Sequence, residues 1–189
     1  MGGEGLSHLC PSCQRRGREA GFDGGWSLGL YQGALLELIH RWKYNGREGI
    51  GSYLCSLLEE RLPDSWRKMD CDQIVPIPLA PSRLRQRGFN QSFVLAKGLS
   101  RILQKPVEPF GLNRQEGRLS QVGLHREERL ENIKGAFFVS SKKKKGLKGK
   151  KILLVDDVYT TGATLFEAAR FLKKEGAASV RFITLARTP

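Results

Sequence analysis

Lys151-Ile152-Leu153-Leu154-Val155-Asp156-Asp157-Val158-Tyr159-Thr160-Thr161-Gly162-Ala163-Thr164 is the stretch that decides the fold of this 189-residue chain. Four apolar residues in a row, Ile152 to Val155, mark a strand buried on both faces of a parallel sheet. Two adjacent carboxylates follow, then a loop of small hydroxyl residues around a glycine, then a helix pattern from Leu165 to Leu172. Ligands of open α/β sheets sit just beyond the carboxyl ends of the strands. The amides that open the next helix lack intrahelical acceptors and suit a phosphate. A phosphate cradle beside two acids points to a phosphorylated sugar, with the carboxylates near its hydroxyls.

The run resembles the binding motif of the type I phosphoribosyltransferases: four apolar residues, two acids, then a Thr/Gly-rich loop. The resemblance implies that Asp156 and Asp157 hydrogen-bond the ribose hydroxyls of phosphoribosyl pyrophosphate (PRPP). It also implies that Thr160, Thr161, Gly162, Ala163 and Thr164 hold the 5-phosphate. Other readings of the same residues fare worse. A buried strand ending in solvated acids accounts for Asp-Asp but not for the Thr-Thr-Gly-Ala-Thr continuation. A response-regulator receiver needs an acceptor Asp two strands later, and no Asp follows Asp157. A D-x-D nucleophile and a Walker loop are both absent.

Outward from this motif, Gln73-Ile74-Val75-Pro76-Ile77-Pro78 reads as a strand whose prolines cannot donate ladder hydrogen bonds, which puts its end at the sheet rim. The chain then turns basic through Ser82-Arg83-Leu84-Arg85-Gln86-Arg87-Gly88-Phe89-Asn90-Gln91. Forked guanidinium donors fit phosphate oxygens, so Arg83 and Arg87 are expected near a pyrophosphate. A basic surface turn is the plain alternative. Tyr31, Ala34, Leu35, Leu38, Ile39 and Trp42 recur at helical spacing, and Ile50 to Leu58 resume the pattern after Asn45-Gly46. Lys43 lies in the joint, either as a helix-end cation favouring the dipole or as a further pyrophosphate contact. Leu95, Leu99, Ile102 and Leu103 give another helix, Val107 to Leu112 and Ala136 to Val139 further strands, and Ser179 to Leu185 a closing strand. The polar stretch from Asn113 to Asn132 is long for an ordinary connection and points to an active-site loop.

These segments narrow the resemblance. Val75-Pro76-Ile77-Pro78, Arg83 and Arg87-Gly88-Phe89-Asn90-Gln91 are similar to the ComF-type competence proteins, a branch of the phosphoribosyltransferase superfamily. Arg114, Gln121, Leu124, Arg129, Asn132 and Phe137 stand at the spacing of that branch, as does Lys43-Tyr44 after an apolar helix. Arg118 takes a position usually held by Thr. Members typically begin with a four-cysteine zinc module, of which Cys10 and Cys13 remain. Either the chain starts downstream of the natural start, or this member has lost its zinc. From spacing alone, Cys10-Pro11-Ser12-Cys13 is half a zinc site or a pair of reduced thiols. Cys55 and Cys71 read as packing residues.

Three segments are expected: a partial zinc-knuckle-like stretch over 1–25, a helical hood over 26–71, and a phosphoribosyltransferase-like parallel sheet flanked by helices over 72–189. No apolar run approaches the ~20 residues of a membrane span, and Met1 to Leu9 lacks a secretory layout, so the cytoplasm is the default and no membrane partner is expected. The formal charge of +13 comes from 32 Lys plus Arg against 19 Asp plus Glu, and seven lysines fall between Lys142 and Lys151. Such a run is a solvated connection or a polyanion contact.

Two functions of different classes follow. One is an enzyme-like phosphoribosyltransferase that binds PRPP with Mg²⁺, its acceptor unread from the residues before Asp72; Trp26, Tyr31 and Trp42 serve there as stacking groups or as core. The other is an adaptor of the competence machinery that meets single-stranded DNA or a helicase-like partner through its basic surface. Oligomeric state is open on either reading.

Overall fold

The computed structural model describes residues 21–45, 48–116, 135–140 and 146–188. Four parallel strands form the main sheet in the order β1-β6-β5-β2, from β1 (Gly24–Leu30), β2 (Gln73–Pro76), β5 (Lys151–Tyr159) and β6 (Ser179–Arg187). Val107 adds a single parallel bridge to Ile74 beyond β2. A separate antiparallel pair joins β3 (Asn113–Arg114) to β4 (Phe137–Phe138).

The apolar run at the centre behaves as its composition dictates. Ile152 and Leu154 point to one face of the sheet, Leu153 and Val155 to the other, and all four are buried. A strand so placed needs helices on both sides. One side carries α1 (Gly33–Asn45), α2 (Glu48–Arg61) and α5 (Gln91–Leu103), which bring Ile39, Trp42, Leu54, Leu58, Leu95 and Leu99 into the core. The other carries α6 (Ala163–Lys174) with Leu165, Ala168, Ala169 and Leu172, together with Phe137. Two short helices, α3 (Asp64–Arg67) and α4 (Pro81–Arg87), complete the described elements.

Close packing fixes several small residues. A Cβ on Gly98 of α5 would lie 2.7 Å from the Cys55 sulfur of α2, so these two helices meet only because Gly98 has no side chain. A Cβ on Gly25 would overlap the Phe182 ring, which instead stacks on Tyr159 at 5.4 Å between centroids. Cys55 and Cys71 are buried, and burial pushes both thiols above their ordinary range, in keeping with a packing role.

The structure departs from the sequence reading in four places. Residues 26–71 were expected as a helical hood, yet Gly24–Leu30 is an edge strand of the main sheet and α1 and α2 share its core. The glycine-rich stretch carries little strand propensity, and pairing with β6 overrides it. The basic stretch after Pro78, where the sequence pattern marks no element, is a helix, α4; Pro81 opens it and Gly88, at φ +76°, closes it. Val107 to Leu112 is not a strand: it supplies one bridge and then turns toward β3. Finally, β5 runs on through the two acids to Tyr159. Cys10, Cys13, most of the Asn113–Asn132 stretch and Lys142 to Lys145 lie outside the described residues. Among the described residues no helix is long and apolar enough to cross a membrane.

Candidate functional site

Asp156 and Asp157 sit near the carboxyl end of β5, beside the helices that cover one face of the sheet. Each takes a different partner from those helices. Asp157 Oδ2 meets the Lys43 ammonium of α1 at 2.6 Å, with both side chains about 15% exposed. Lys43 is therefore a counterion within the site rather than a cation serving its own helix end. Asp156 turns toward α5: the Ser92 hydroxyl donates to its Oδ1 at 3.0 Å, and the Asp157 amide donates to the same oxygen at 2.9 Å.

Burial dominates the electrostatics of Asp156. The residue keeps a partly exposed face, but its carboxyl is surrounded by protein. That enclosure, followed by the charge of Asp157, pushes its pKa up to about 7. The donors on Oδ1 and the Lys43 charge pull the other way without prevailing. With Asp157 matched by Lys43 and Asp156 able to hold a proton, the pair adds little net negative charge near neutral pH. A polyanion can then approach two acids without strong repulsion.

Beyond Tyr159 the chain bends through Thr160, Thr161 and Gly162 into α6. Gly162 caps that helix at φ +75°, and a Cβ there would fall 2.6 Å from both the Phe166 ring and the Tyr159 hydroxyl. Only glycine fits the turn. The loop is pinned from behind, since the Thr188 hydroxyl donates to the Thr160 carbonyl at 3.1 Å and the Thr188 amide to Tyr159 at 2.9 Å. Within the first turn, the Ala163 amide reaches Thr161 Oγ1 at 3.4 Å and the Phe166 amide reaches the Gly162 carbonyl at 2.8 Å. The amides of Thr164 and Leu165 remain for a ligand. Asp156, Thr160, Gly162, Ala163 and Thr164 line one small, open hollow. The acid and the expected phosphate loop thus meet in a single concavity.

The basic residues form a rim. Arg87 on α4 lies 5.7 Å from the ring centre of exposed Tyr44 and donates to Gln91 Oε1 at 3.2 Å. Gln91 is 1% exposed, and its Nε2 has no partner among the described residues. Arg83, from the same helix, stands close enough to Arg114 of β3 for the two charges to oppose one another. Arg114 is largely buried over the Phe137 ring, and its Nε lacks a hydrogen-bond partner among the described residues. Burial first and Arg83 second lower its pKa. Neither Arg83 nor Arg87 is paired with a carboxylate among the described residues. Glu116 ties this rim down, accepting from the Ser82 amide at 2.6 Å and the Ser82 hydroxyl at 2.8 Å.

The sequence reading placed Asp156, Asp157, the Thr160–Thr164 loop, Lys43, Arg83 and Arg87 in one site. The structure gathers the acids, loop and Lys43 at the end of β5, with the arginines on the adjacent α4. Trp26 and Trp42 prove to be core, and Tyr31 packs partly buried against it. Ser92 and Gln91 went unrecognised as site residues; Asn90-Gln91-Ser92 opens α5 directly after the basic helix α4. Among the described residues no cluster of three or more acidic, His or Cys side chains could hold a metal.

Similarity to known proteins shows the family to which the chain belongs. Residues 90–189 match the phosphoribosyl transferase domain family. The chain is 33% identical over 181 residues to competence protein F of Haemophilus influenzae, covering 94% of this chain and 78% of that protein. It is 34% identical over 189 residues to competence protein ComFC of Streptococcus pneumoniae, covering 96% and 76%. With the DNA utilization protein YhgH of Escherichia coli the identity is 35% over 161 residues, covering 84% and 69%. Among solved structures it is similar to a glutamine PRPP amidotransferase from B. subtilis at TM-score 0.48 and 18% identity, over 76% of this chain and 30% of that longer one. An adenine phosphoribosyltransferase from Saccharomyces cerevisiae gives TM-score 0.44 and 18% identity, over 75% and 72%. By family match and by identity across nearly its whole length, the chain belongs to the ComF-type competence proteins of the phosphoribosyltransferase superfamily.

Proposed function

We propose that this protein binds a 5-phosphorylated ribose carrying a diphosphate, PRPP or a close relative, at the carboxyl end of β5. The observation that carries the reading is the meeting of Asp156 with the open start of α6 in one hollow, with Asp157 next to it on β5. A 5-phosphate accepts from the Thr164 and Leu165 amides and from the loop hydroxyls, while ribose hydroxyls meet Asp156 Oδ2 and Asp157. The diphosphate faces Arg83 and Arg87, and magnesium bound along with it would supply further charge neutralisation. If transfer follows binding, the C1–O bond to pyrophosphate breaks as an amine or base attacks C1. This chain then contributes alignment and electrostatic stabilisation of the departing charge.

Calorimetric titration with PRPP and Mg²⁺ tests the reading. Micromolar binding is expected in the wild type, and at least a tenfold loss in Asp156→Asn/Asp157→Asn with the circular dichroism spectrum retained. Absence of binding heat in the wild type, or equal affinity in the double variant, sinks it. Consumption of PRPP against a panel of amines and bases then tests transfer.

The relatives named for competence and DNA utilization support a role in the uptake or use of DNA. A second reading, as an adaptor for single-stranded DNA or a helicase-like partner, draws on the +13 charge and on the exposed arginines of α4. It requires single-strand affinity that falls steeply with salt. Salt-insensitive or undetectable binding counts against it.

A further inference from the structure

Asp156 is held on one oxygen from two sides. The Ser92 hydroxyl and the Asp157 amide both donate to Oδ1, while Oδ2 has no hydrogen-bond partner among the described residues. Ser92 is itself fixed. It is 3% exposed, and its amide donates to Asn90 Oδ1 at 3.0 Å, which caps α5. The Asn90 side-chain amide in turn donates to the Ile77 carbonyl at 3.0 Å. A continuous set of hydrogen bonds therefore runs from the end of β2, through the cap of α5, to the acid at the end of β5. The carboxyl cannot rotate without breaking both bonds to Oδ1.

We infer that Ser92 is a positioning residue for the sugar: by occupying Asp156 Oδ1 it leaves Oδ2 as the atom that meets a ribose hydroxyl. The inference rests on the phosphosugar reading above and adds a residue that the strand-acid-acid motif does not contain. Ser92 lies 64 positions away in sequence and touches the ligand only through Asp156.

Among the described residues, the charged groups acting on Asp156 or acted on by it are Asp157 on its own strand, Lys43 from α1 and Arg114 from β3, while α5 contributes the neutral Ser92. Donation from Ser92 favours the ionised carboxylate, against burial and Asp157, which favour the acid. Ser92 thus helps fix the direction of the carboxyl and lowers the pH at which Oδ2 changes from donor to acceptor, against the larger upward effects of burial and Asp157. A packing role alone changes neither.

The test uses Ser92→Ala and Ser92→Thr. PRPP–Mg²⁺ affinity is measured by calorimetry, and the Asp156 side-chain carboxyl is followed by carbon-13 NMR without ligand from pH ~5 to ~9, a span that brackets its raised pKa. Ser92→Ala is expected to weaken PRPP about five- to twentyfold and to move the Asp156 midpoint upward. Ser92→Thr keeps the hydroxyl and stays within about twofold of wild type. Unchanged affinity in Ser92→Ala overturns the inference, and so does a loss of affinity with the midpoint in place. If Ser92→Thr fails to fold, the two Ser92→Ala readouts decide. If the wild type binds no PRPP, the phosphosugar reading fails by itself; the ligand-free midpoint still decides whether Ser92 controls Asp156.

Discussion

Asp156→Asn is expected to make the protein more stable while removing ligand affinity. In the fold the Asp156 carboxyl is pushed up to about 7 from its ordinary 3.8. Between those values the folded state holds a proton that the unfolded chain has released, so stability falls as pH rises through that window. At ~1.4 kcal/mol per tenfold difference in proton affinity, the full cost of Asp156 above pH ~7 is at most about 4 kcal/mol. Local relaxation and water on its partly exposed side reduce this to about 2–4 kcal/mol. Asparagine keeps an acceptor for Ser92 and the Asp157 amide but cannot ionise. Its advantage is therefore near zero at pH ~4 and complete by pH ~8. Urea denaturation of both proteins at those two pH values measures it, with a midpoint rise of roughly 1 M expected at the higher pH. An Asn protein that is no more stable at pH ~8, or whose advantage is the same at both pH values, refutes the reasoning.

Three further outcomes follow from the same geometry. Lys43→Met leaves the Asp157 charge unpaired in a mostly buried position and should cost about 1–3 kcal/mol near neutral pH. The double-mutant cycle with Asp157→Asn, read by urea denaturation, should return a coupling above ~0.5 kcal/mol, and a value near zero denies the pair any role. Gly162→Ala sets a Cβ against Phe166 and Tyr159 in a left-handed turn, so a loss of about 2–3 kcal/mol and a melting temperature lower by several degrees are expected by calorimetry. Cys55 and Cys71, buried with raised pKa values, should react with a maleimide at least ~10-fold more slowly in the native protein than in urea; equal rates contradict their packing role.

The acid pair and its loop were legible in the sequence because their contacts are local. Ile152 to Thr164 are contiguous, and strand, acids, glycine turn and helix start follow one another in the order in which they act. The long helices were legible for a similar reason, since Leu95, Leu99 and Leu103 repeat at the helical period and all three are buried. What was not legible depends on partners distant in sequence. Nothing near Gly24-Gly25-Trp26 announces a strand, because the need for Gly25 is set by the Phe182 ring of β6. The pairing of Lys43 with Asp157, and of Ser92 with Asp156, arises only when α1 and α5 pack on the same face of the sheet. Helix α4 escaped notice because it buries no residue and so leaves no apolar period to read.

The central claim is that the loop opening α6 is a phosphate cradle facing the two acids. Amide NMR of the labelled protein, titrated with ribose 5-phosphate and then with PRPP–Mg²⁺, tests it most directly. The largest shifts should fall on the amides of Gly162 to Leu165 and of Asp157 with both ligands, joined by Arg83 and Arg87 only with PRPP. Saturable shifts elsewhere with the Gly162 to Leu165 amides unmoved, or no shifts at millimolar ligand, contradict the account.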